Sequence, residues 1–455
     1  MPRPVTFTAQ EYQADGSIRP ADYAFTGTTA DGWEIAREGR PHLRLGPGYR
    51  LLEVSHCGIC STDLARRHLP FPLPQVTGHE VVARDEHGQA VVVEINASHA
   101  ARGLDHAAWC AHCRVGMPTH CPERLVLGIH DLLGGFSPWM LAPVDGVVAV
   151  PAAMSPATAT LVEPFAAALA AVRALDLTDG ERVLVLGPGR LGSLVVAALA
   201  AWRRRTGGRF GILVAGRRPA ALARARALGA DEIATPTTSA DVVVETTGSP
   251  DGLALALALA TREVHVKSTT GQPTLGLRHL TEMVVDEVSL QPWTPGAIVP
   301  DGASTVVLLA HATDTLRRAL VVAGLRPVTP DEARALPLGG ADVGVAATTA
   351  EVDALLRPVP GVERGLVRAR GTILLADGDG GDDLVTMLRR RGLRLGSSRC
   401  GDFGAALDVL VDPTLAHRLG EHMVTDIVPA ARLEEGFARA AGGGKVLVAH
   451  PGGLL

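Results

Sequence analysis

The sequence predicts an α/β protein with a separate β-rich domain, on three observations. From residue 181 onward, short β-branched runs alternate with longer helical stretches. A glycine-rich turn, GPGRLG at Gly187–Gly192, lies directly between the first such run and the helix after it. Before these, the chain has short apolar runs broken by turn formers. Strands separated by helices imply a parallel sheet covered on both faces.

The elements follow in order. Residues 1 to about 50 are rich in turn formers, with weak alternation in HLRL and YRLLEV, and read as an irregular arm entering a small β-domain. VVARDEHGQAVVVEIN holds two β-branched runs around a DEHGQ turn, which fits a hairpin. LVEPFAAALAAVRAL has helical apolar spacing, with Pro164 near its start. Then ERVLVLG, FGILVAG, DVVVETTG and EVHVKST read as strands, while LGSLVVAALAAWRRR, AALARARALG and GLALALALA read as helices. From Ser304 the order repeats. STVVLLAHATDTLRRALVVAG parallels FGILVAGRRPAALARARALG, ADVGVAATTAEVDALL parallels ADVVVETTGSPDGLAL, and GTILLADGDGGDDLVTMLRRRGLRL parallels the stretch from Arg262 to Leu290. We read an inserted, duplicated half of the α/β sheet at residues 291–395. It lacks a glycine-rich loop and is not expected to bind a second nucleotide. The final segment reads as two helices and a closing strand.

Composition narrows the function. With 47% apolar and 20% charged residues, the 455-residue chain is ordinary for a globular protein. A net charge of −5 gives no argument for nucleic acid or an anionic membrane as partner. No apolar run approaches the roughly 18–20 residues of a membrane span, and the N-terminus lacks a signal-peptide pattern. The expected location is cytoplasmic, where the six cysteines serve as ligands or buried thiols.

CGICSTD (Cys57–Asp63), TGHE (Thr77–Glu80) and LVEP with Glu163 supply a thiolate, an imidazole and a carboxylate. That set suits a catalytic zinc, which keeps one position open for water or substrate. In the GPGRLG turn, Gly187 permits the tight bend, Gly189 lets the backbone approach a pyrophosphate, and Gly192 allows close helix–strand packing. Pro188, Arg190 and Leu191 complete the loop, and the pyrophosphate would rest on the helix N-terminus. The second strand ends in Gly216-Arg217-Arg218 instead of an acid. Gly216 leaves room and the arginines suit a 2′-phosphate, so NADP(H) is favoured over NAD(H). VETTG and KSTTG end their strands on the loop's side, placing Thr246 or Thr247, and Ser268 or Thr269, near the nicotinamide half; Lys267 is weighed as a surface lysine.

These motifs resemble the zinc-dependent medium-chain dehydrogenase/reductase family, in its alcohol, polyol and threonine dehydrogenase branch, over residues 45–290 and again from GSSRCG to the last strand. The resemblance implies a GroES-like zinc-binding catalytic domain at 1–170, a Rossmann-type domain at 171–290, the insertion at 291–395 and a return to the catalytic domain at 396–455. It makes Cys60 (not Cys57), His79 and Glu163 the catalytic zinc ligands. Glu80 becomes a carboxylate able to exchange onto the metal, Thr62 the hydroxyl that takes the substrate proton, and Asp63 a partner of the histidine. Relatives often carry a histidine where this chain has Ala65, leaving His68 as a substitute in the proton path. Cys110, Cys113 and Cys121 match three of the four cysteines of a structural zinc lobe, C-x2-C-x2-C-x7-C. The first position falls on Ala107, so Asp105, His106 or His112 completes the shell or the lobe has lost its metal. Relatives dimerise by joining two sheets edge to edge; here the duplicated strands are expected to fill that edge, giving a monomer or a homodimer built elsewhere.

The implied activity is zinc-dependent, NADP(H)-linked interconversion of an alcohol and its carbonyl. A polar secondary alcohol, polyol, cyclitol or amino alcohol is the expected small-molecule substrate. The rivals are a zinc-free enone or quinone reductase of the same fold, and a non-catalytic interaction protein using the inserted half-sheet.

Overall fold

The computed structural model describes residues 3–235, 237–268, 271–293, 302–309, 314–358, 364–378 and 383–451. The chain forms two compact units, Met1–Ala166 with Gly401–Leu455, and Ala167–Cys400.

The first unit opens on a four-stranded antiparallel meander: β1 (Val5–Tyr12), β2 (Ile18–Thr28), β3 (Gly32–Arg37) and β4 (Arg40–Leu45). This corrects the expected irregular arm. Tyr23, Phe25 and Ile35 are buried, and Phe7 packs edge-on to Phe25 at 4.8 Å. The buried Glu11 carboxylate accepts from Tyr23 Oη at 2.7 Å and from Arg37 at 2.8 Å, so its charge is neutralised inside the meander. Next come β5 (Tyr49–Gly58), β6 (Glu80–Arg84), β7 (Ala90–Val93), β8 (Asn96–Ala97), β9 (Leu125–Val126), β10 (Trp139–Pro143) and β11 (Val147–Ala149). β6 and β7 form the expected hairpin, its turn held by Asp85 Oδ1 accepting from the amides of His87 and Gln89.

The second unit holds one eleven-stranded sheet. Its strands are β12 (Arg182–Leu186), β13 (Gly211–Ala215), β14 (Glu232–Ile233), β15 (Ala240–Glu245), β16 (Ala260–Val266), β17 (Ser289–Pro292), β18 (Thr305–Leu308), β19 (Arg326–Val328), β20 (Ala341–Ala346), β21 (Val367–Leu375) and β22 (Arg394–Ser397). Their spatial order is β14-β13-β12-β15-β16-β22-β17-β21-β20-β18-β19. All pairings are parallel except β17–β22, which meet antiparallel at Leu290 and Leu395. The order is therefore nearly palindromic about that joint. β13, β14, β15 and β16 correspond to β18, β19, β20 and β21, and only β12 has no counterpart.

Details repeat as well. Asp241 Oδ2 accepts from the Arg182 amide at the start of the neighbouring strand (2.8 Å), and Asp342 Oδ2 accepts from the Ser304 and Thr305 amides (2.9 and 3.0 Å). Each aspartate sits at a register shift against the next strand.

The joint also exchanges elements. β17 follows β16 in sequence yet pairs with β21, while β22 follows β21 yet pairs with β16. Leu290 and Leu395 are fully buried in an apolar cluster that also holds Val264 and Ile373, so both halves share one core. Truncating either leucine to alanine costs about 2–5 kcal/mol, the range for a filled core site.

The chain then returns to the first unit with β23 (Val424–Pro429) and β24 (Lys445–Ala449). They complete a seven-stranded sheet in the order β11-β7-β6-β5-β24-β23, with β10 also on β5. Among the described residues, no helix is long and apolar enough to cross a membrane.

Candidate functional site

The first candidate site begins where β5 ends. Cys60 caps the short helix Ser61–Leu64, its Sγ accepting from the amides of Thr62 (3.2 Å) and Asp63 (3.4 Å). His79 lies in the segment entering β6, behind Gly78, whose φ of +94° suits glycine. The His79 Nε2 stands 3.3 Å from Cys60 Sγ. Asp63 fastens the two ligand-bearing segments together, Oδ2 accepting from the Cys60 amide at 2.9 Å and Oδ1 from the Gly78 amide at 3.1 Å. It therefore holds backbone and not the imidazole, contrary to the role the resemblance implied.

Ligand atoms of Cys60, Asp63 and His79 all lie within 4.8 Å of one another. Glu163 falls outside that compass, although it is close enough for its charge to act on His79. The two carboxylates differ in what they have left to give. Both Asp63 oxygens are occupied by amides, whereas Glu163 accepts no hydrogen bond among the described residues. Burial, with Glu80 adding to it, raises the Glu163 carboxyl to about 7 against the opposing pull of His79 and Lys445. Burial works against a charged His79, but Cys60, Asp63 and Glu163 outweigh it and hold the imidazole well above its ordinary value. Burial and then Asp63 push the Cys60 thiol up. A buried thiol, an imidazole and a carboxyl without donors form a set that favours a cation and fits zinc.

Glu80, expected as an exchanging carboxylate, is bound by Lys445 of β24: Nζ lies 2.6 Å from Oε1, with both side chains 2% exposed. Gly58 leaves room for it, since a Cβ there would stand 2.0 Å from Glu80 Oε2. Thr62 is half-buried beside Cys60. His68 is exposed and accepts from Arg67 Nε at 3.0 Å.

A second cluster joins His99, Cys110, Cys113 and Cys121, again with ligand atoms within 4.8 Å of one another. The fourth member is thus His99, just beyond β8, and not the residues expected near Ala107. Asp105 accepts from the Ala107 amide, His106 packs on Trp109, and His112 lies outside the group. His99 Nδ1 faces the thiols, 3.8 Å from Cys121 Sγ, and accepts from the Cys110 amide at 3.1 Å. Its Nε2 lies 3.3 Å from Glu123, the orientation a metal-binding histidine commonly receives from a carboxylate. Burial pushes the Cys121 thiol up to about 12. Burial opposes ionisation of Cys110 too, but the Cys113 amide and His99 outweigh it and lower that thiol.

In the second unit, the helix Arg190–Thr206 starts directly behind Gly187–Gly189. Gly187 has φ +83°, and a Cβ there would stand 2.5 Å from Thr247 Cγ2. A Cβ on Gly189 would meet nothing within 3.7 Å, which leaves an open approach to the helix N-terminus. Thr246 donates to the carbonyls of Leu186 (2.9 Å) and Gly187 (2.7 Å) and so ties down the loop. Thr247 turns to Glu245 and to Ser249. Ser268 is half-buried, and Thr269 lies outside the described residues.

The room expected at Gly216 is partly filled by Pro188, whose Cδ would stand 2.9 Å from a Cβ there. Arg217 and Arg218 are exposed. Lys267 is no surface residue: it is 8% exposed, and its Nζ donates to the carbonyls of Ser398 and Arg399, each at 2.7 Å. Sequence reasoning missed His99 and also Arg224, which donates to Ser193 Oγ (3.0 Å) and to the Pro188 carbonyl (3.3 Å).

Residues 46–152 match the alcohol dehydrogenase GroES-like domain. The chain is 32% identical over 165 residues to L-galactonate-5-dehydrogenase of Escherichia coli K12, covering 34% of this chain and 46% of that protein. It is 29% identical over 209 residues to L-threonine 3-dehydrogenase of Mesorhizobium japonicum, covering 44% and 58%. The chain thus spans about half the length of the curated relatives it matches. Among solved structures, the alcohol dehydrogenase rspB of E. coli CFT073 in complex with NADH shares the fold with a TM-score of 0.60 and 16% identity, over 98% of this chain and 99% of that one. A putative zinc-binding dehydrogenase of Sinorhizobium meliloti bound to NADP does so with a TM-score of 0.55 and 17% identity, over 98% and 99%. Residues 46–152 thus carry the alcohol dehydrogenase GroES-like domain, and the chain has the fold of these dehydrogenases.

Proposed function

We propose that the protein is a zinc-dependent, NADP(H)-linked oxidoreductase that interconverts a polar secondary alcohol and its carbonyl. One observation carries this reading: the Cys60 thiol stands 3.3 Å from the His79 ring, and the half-buried carboxyl of Glu163, which accepts no hydrogen bond among the described residues, is close enough for its charge to act on that ring. Cys60, His79 and Glu163 are the residues that would hold zinc, with Asp63 keeping their segments in place. Zinc at that position supplies Lewis acidity that lowers the pKa of a substrate hydroxyl.

Thr62 is the group that takes the substrate proton, its backbone fixed by the bond from its amide to Cys60 Sγ. Glu80 stays in its ion pair with Lys445 and so spares the pocket a further free negative charge. Arg190, Arg217 and Arg218, with no acid at the end of β13, support a 2′-phosphorylated nucleotide over NAD(H). NADP(H) supplies the hydride acceptor or donor. His99, Cys110, Cys113 and Cys121 are the residues we assign to a second, structural zinc. The names of the galactonate and threonine relatives support a hydroxylated polar substrate. The joint between β17 and β22 occupies an edge within the chain and supports a monomer.

The test is metal analysis together with a substrate panel of polyols, hydroxy acids and amino alcohols read by NADPH absorbance, with Cys60→Ala as control. Two zincs per chain and Cys60-dependent turnover are expected. A metal-free protein that reduces enones instead would sink the proposal.

A further inference from the structure

We infer that Arg224, on the helix Pro219–Ala227, is a further cation of the 2′-phosphate site and a determinant of NADP(H) over NAD(H). This rests on the nucleotide reading above and deepens it.

Several arginines elsewhere in the same unit have carboxylate partners: Arg203 bonds Asp231, Arg209 bonds Asp179, Arg262 bonds Glu181 and Arg370 bonds Glu287. Arg224 differs. Its Nε and one terminal nitrogen are spent on Ser193 Oγ and the Pro188 carbonyl, which fixes the guanidinium against the phosphate loop. The charges acting on it are those of Arg218 and Arg190, both of its own sign. After burial, these two hold Arg224 below the usual arginine value. Arg218 reaches the same place from the end of β13, its guanidinium 3.7 Å from where a Cβ on Gly189 would stand.

Three like charges thus converge where the loop, the first turn of its helix and the end of the second strand meet. Among the described residues, Arg217, Arg218 and Arg224 form no ion pair. Like charges brought together in partial burial repel, and a dianion between them removes the penalty. The 2′-phosphate is the dianion that separates the two nicotinamide cofactors, and planar guanidinium donors suit it. Arg224 is pinned by neutral oxygens and keeps further N–H groups to give.

The experiment titrates the full-length protein with 2′,5′-ADP and with 5′-AMP by calorimetry, for the wild type and for Arg224→Gln, Arg224→Lys and Ser193→Ala. Arg224→Gln should weaken 2′,5′-ADP about ten- to a hundredfold, the range for a charge-assisted hydrogen bond, and leave 5′-AMP within about twofold. Arg224→Lys should recover part of the loss. Ser193→Ala keeps the charge and should preserve the ratio of the two affinities. Equal losses for both fragments in Arg224→Gln would overturn the assignment, reducing Arg224 to a clasp of the loop, and so would no loss for either. Wild-type protein that binds 5′-AMP as tightly as 2′,5′-ADP overturns the assignment and the preference for NADP(H), while nucleotide binding itself stands. Wild-type protein that binds neither fragment overturns both.

Discussion

The two thiol clusters of the first unit use similar donors in opposite ways. At Cys60 and His79, two side-chain donors meet at 3.3 Å, a third donor, the Asp63 carboxylate, is tied to backbone amides, and a fourth, Glu163, accepts no hydrogen bond among the described residues. At His99 and its three cysteines, four donors close on one point. The histidines differ in the same sense. His99 has a carboxylate at its far nitrogen, whereas the buried Nδ1 of His79 has no hydrogen-bond partner among the described residues. A closed shell favours structural binding, and an incomplete one leaves a position for substrate. The difference between holding a chain together and doing chemistry therefore lies in how many donors remain uncommitted.

The strongest way to break this comparison is Cys60→Ala. It should lower kcat/KM by about 10²–10³-fold or more, as removal of a principal stabiliser of developing charge does. It should also leave the metal in the other cluster, so the content falls from two zincs to one while Tm moves little. Loss of both metals would show that the clusters are not independent.

His99→Ala is the reciprocal test. It should remove the other zinc and lower Tm by several degrees, because binding at a closed structural site contributes directly to folding. Turnover at temperatures below the transition should persist. If zinc stays bound to the three thiols with unchanged Tm, the four-donor assignment is wrong.

Asp63→Asn probes the difference in carboxylate roles. An amide can still accept at one position but presents an NH2 to the other backbone N–H, so one of the two clamps breaks. The expected loss is about 10–100-fold in zinc affinity or activity, the range for groups that orient ligands. Glu163→Gln under the same chelator titration should cost at least as much if Glu163 is the ligand and Asp63 the support. The reverse ranking would exchange their roles.

Legibility followed local spacing. Cys60, His79 and the glycine loop could be read because each motif sits within a few residues at the end of a recognisable strand. The duplicated sheet could be read because ADVVVETTG and ADVGVAATT repeat residues as well as order, and Asp241 and Asp342 do the same work in each half. His99 could not be found by testing positions around Ala107, since the fold brings it in from a different segment, behind β8. An incomplete cysteine set with a histidine upstream and Glu123 just past Cys121 was the signal available. The exchange of β17 and β22 was also hidden, because either order satisfies the same apolar pattern and only pairing partners distinguish them. In the meander, alternation was present in ADYAFTGT and WEIAR but diluted by threonine, glycine and proline. Arg224 gave no sign because its neighbours, Ser193 and Pro188, are distant in sequence.

The smallest expected effect belongs to Glu123→Gln. Glu123 lies 3.3 Å from His99 Nε2, but its side chain is 70% exposed, so solvent screens most of the interaction. The change should therefore weaken zinc at the closed cluster by about tenfold or less, the low end for a carboxylate behind a ligating histidine. It should leave activity and the Cys60 metal untouched. A chelator competition at two salt concentrations reads this directly, because the loss should shrink as salt rises. A loss as large as that of His99→Ala would mean that the carboxylate fixes the ring's orientation outright. The bare Nδ1 of His79 would then mark the more weakly held metal of the two.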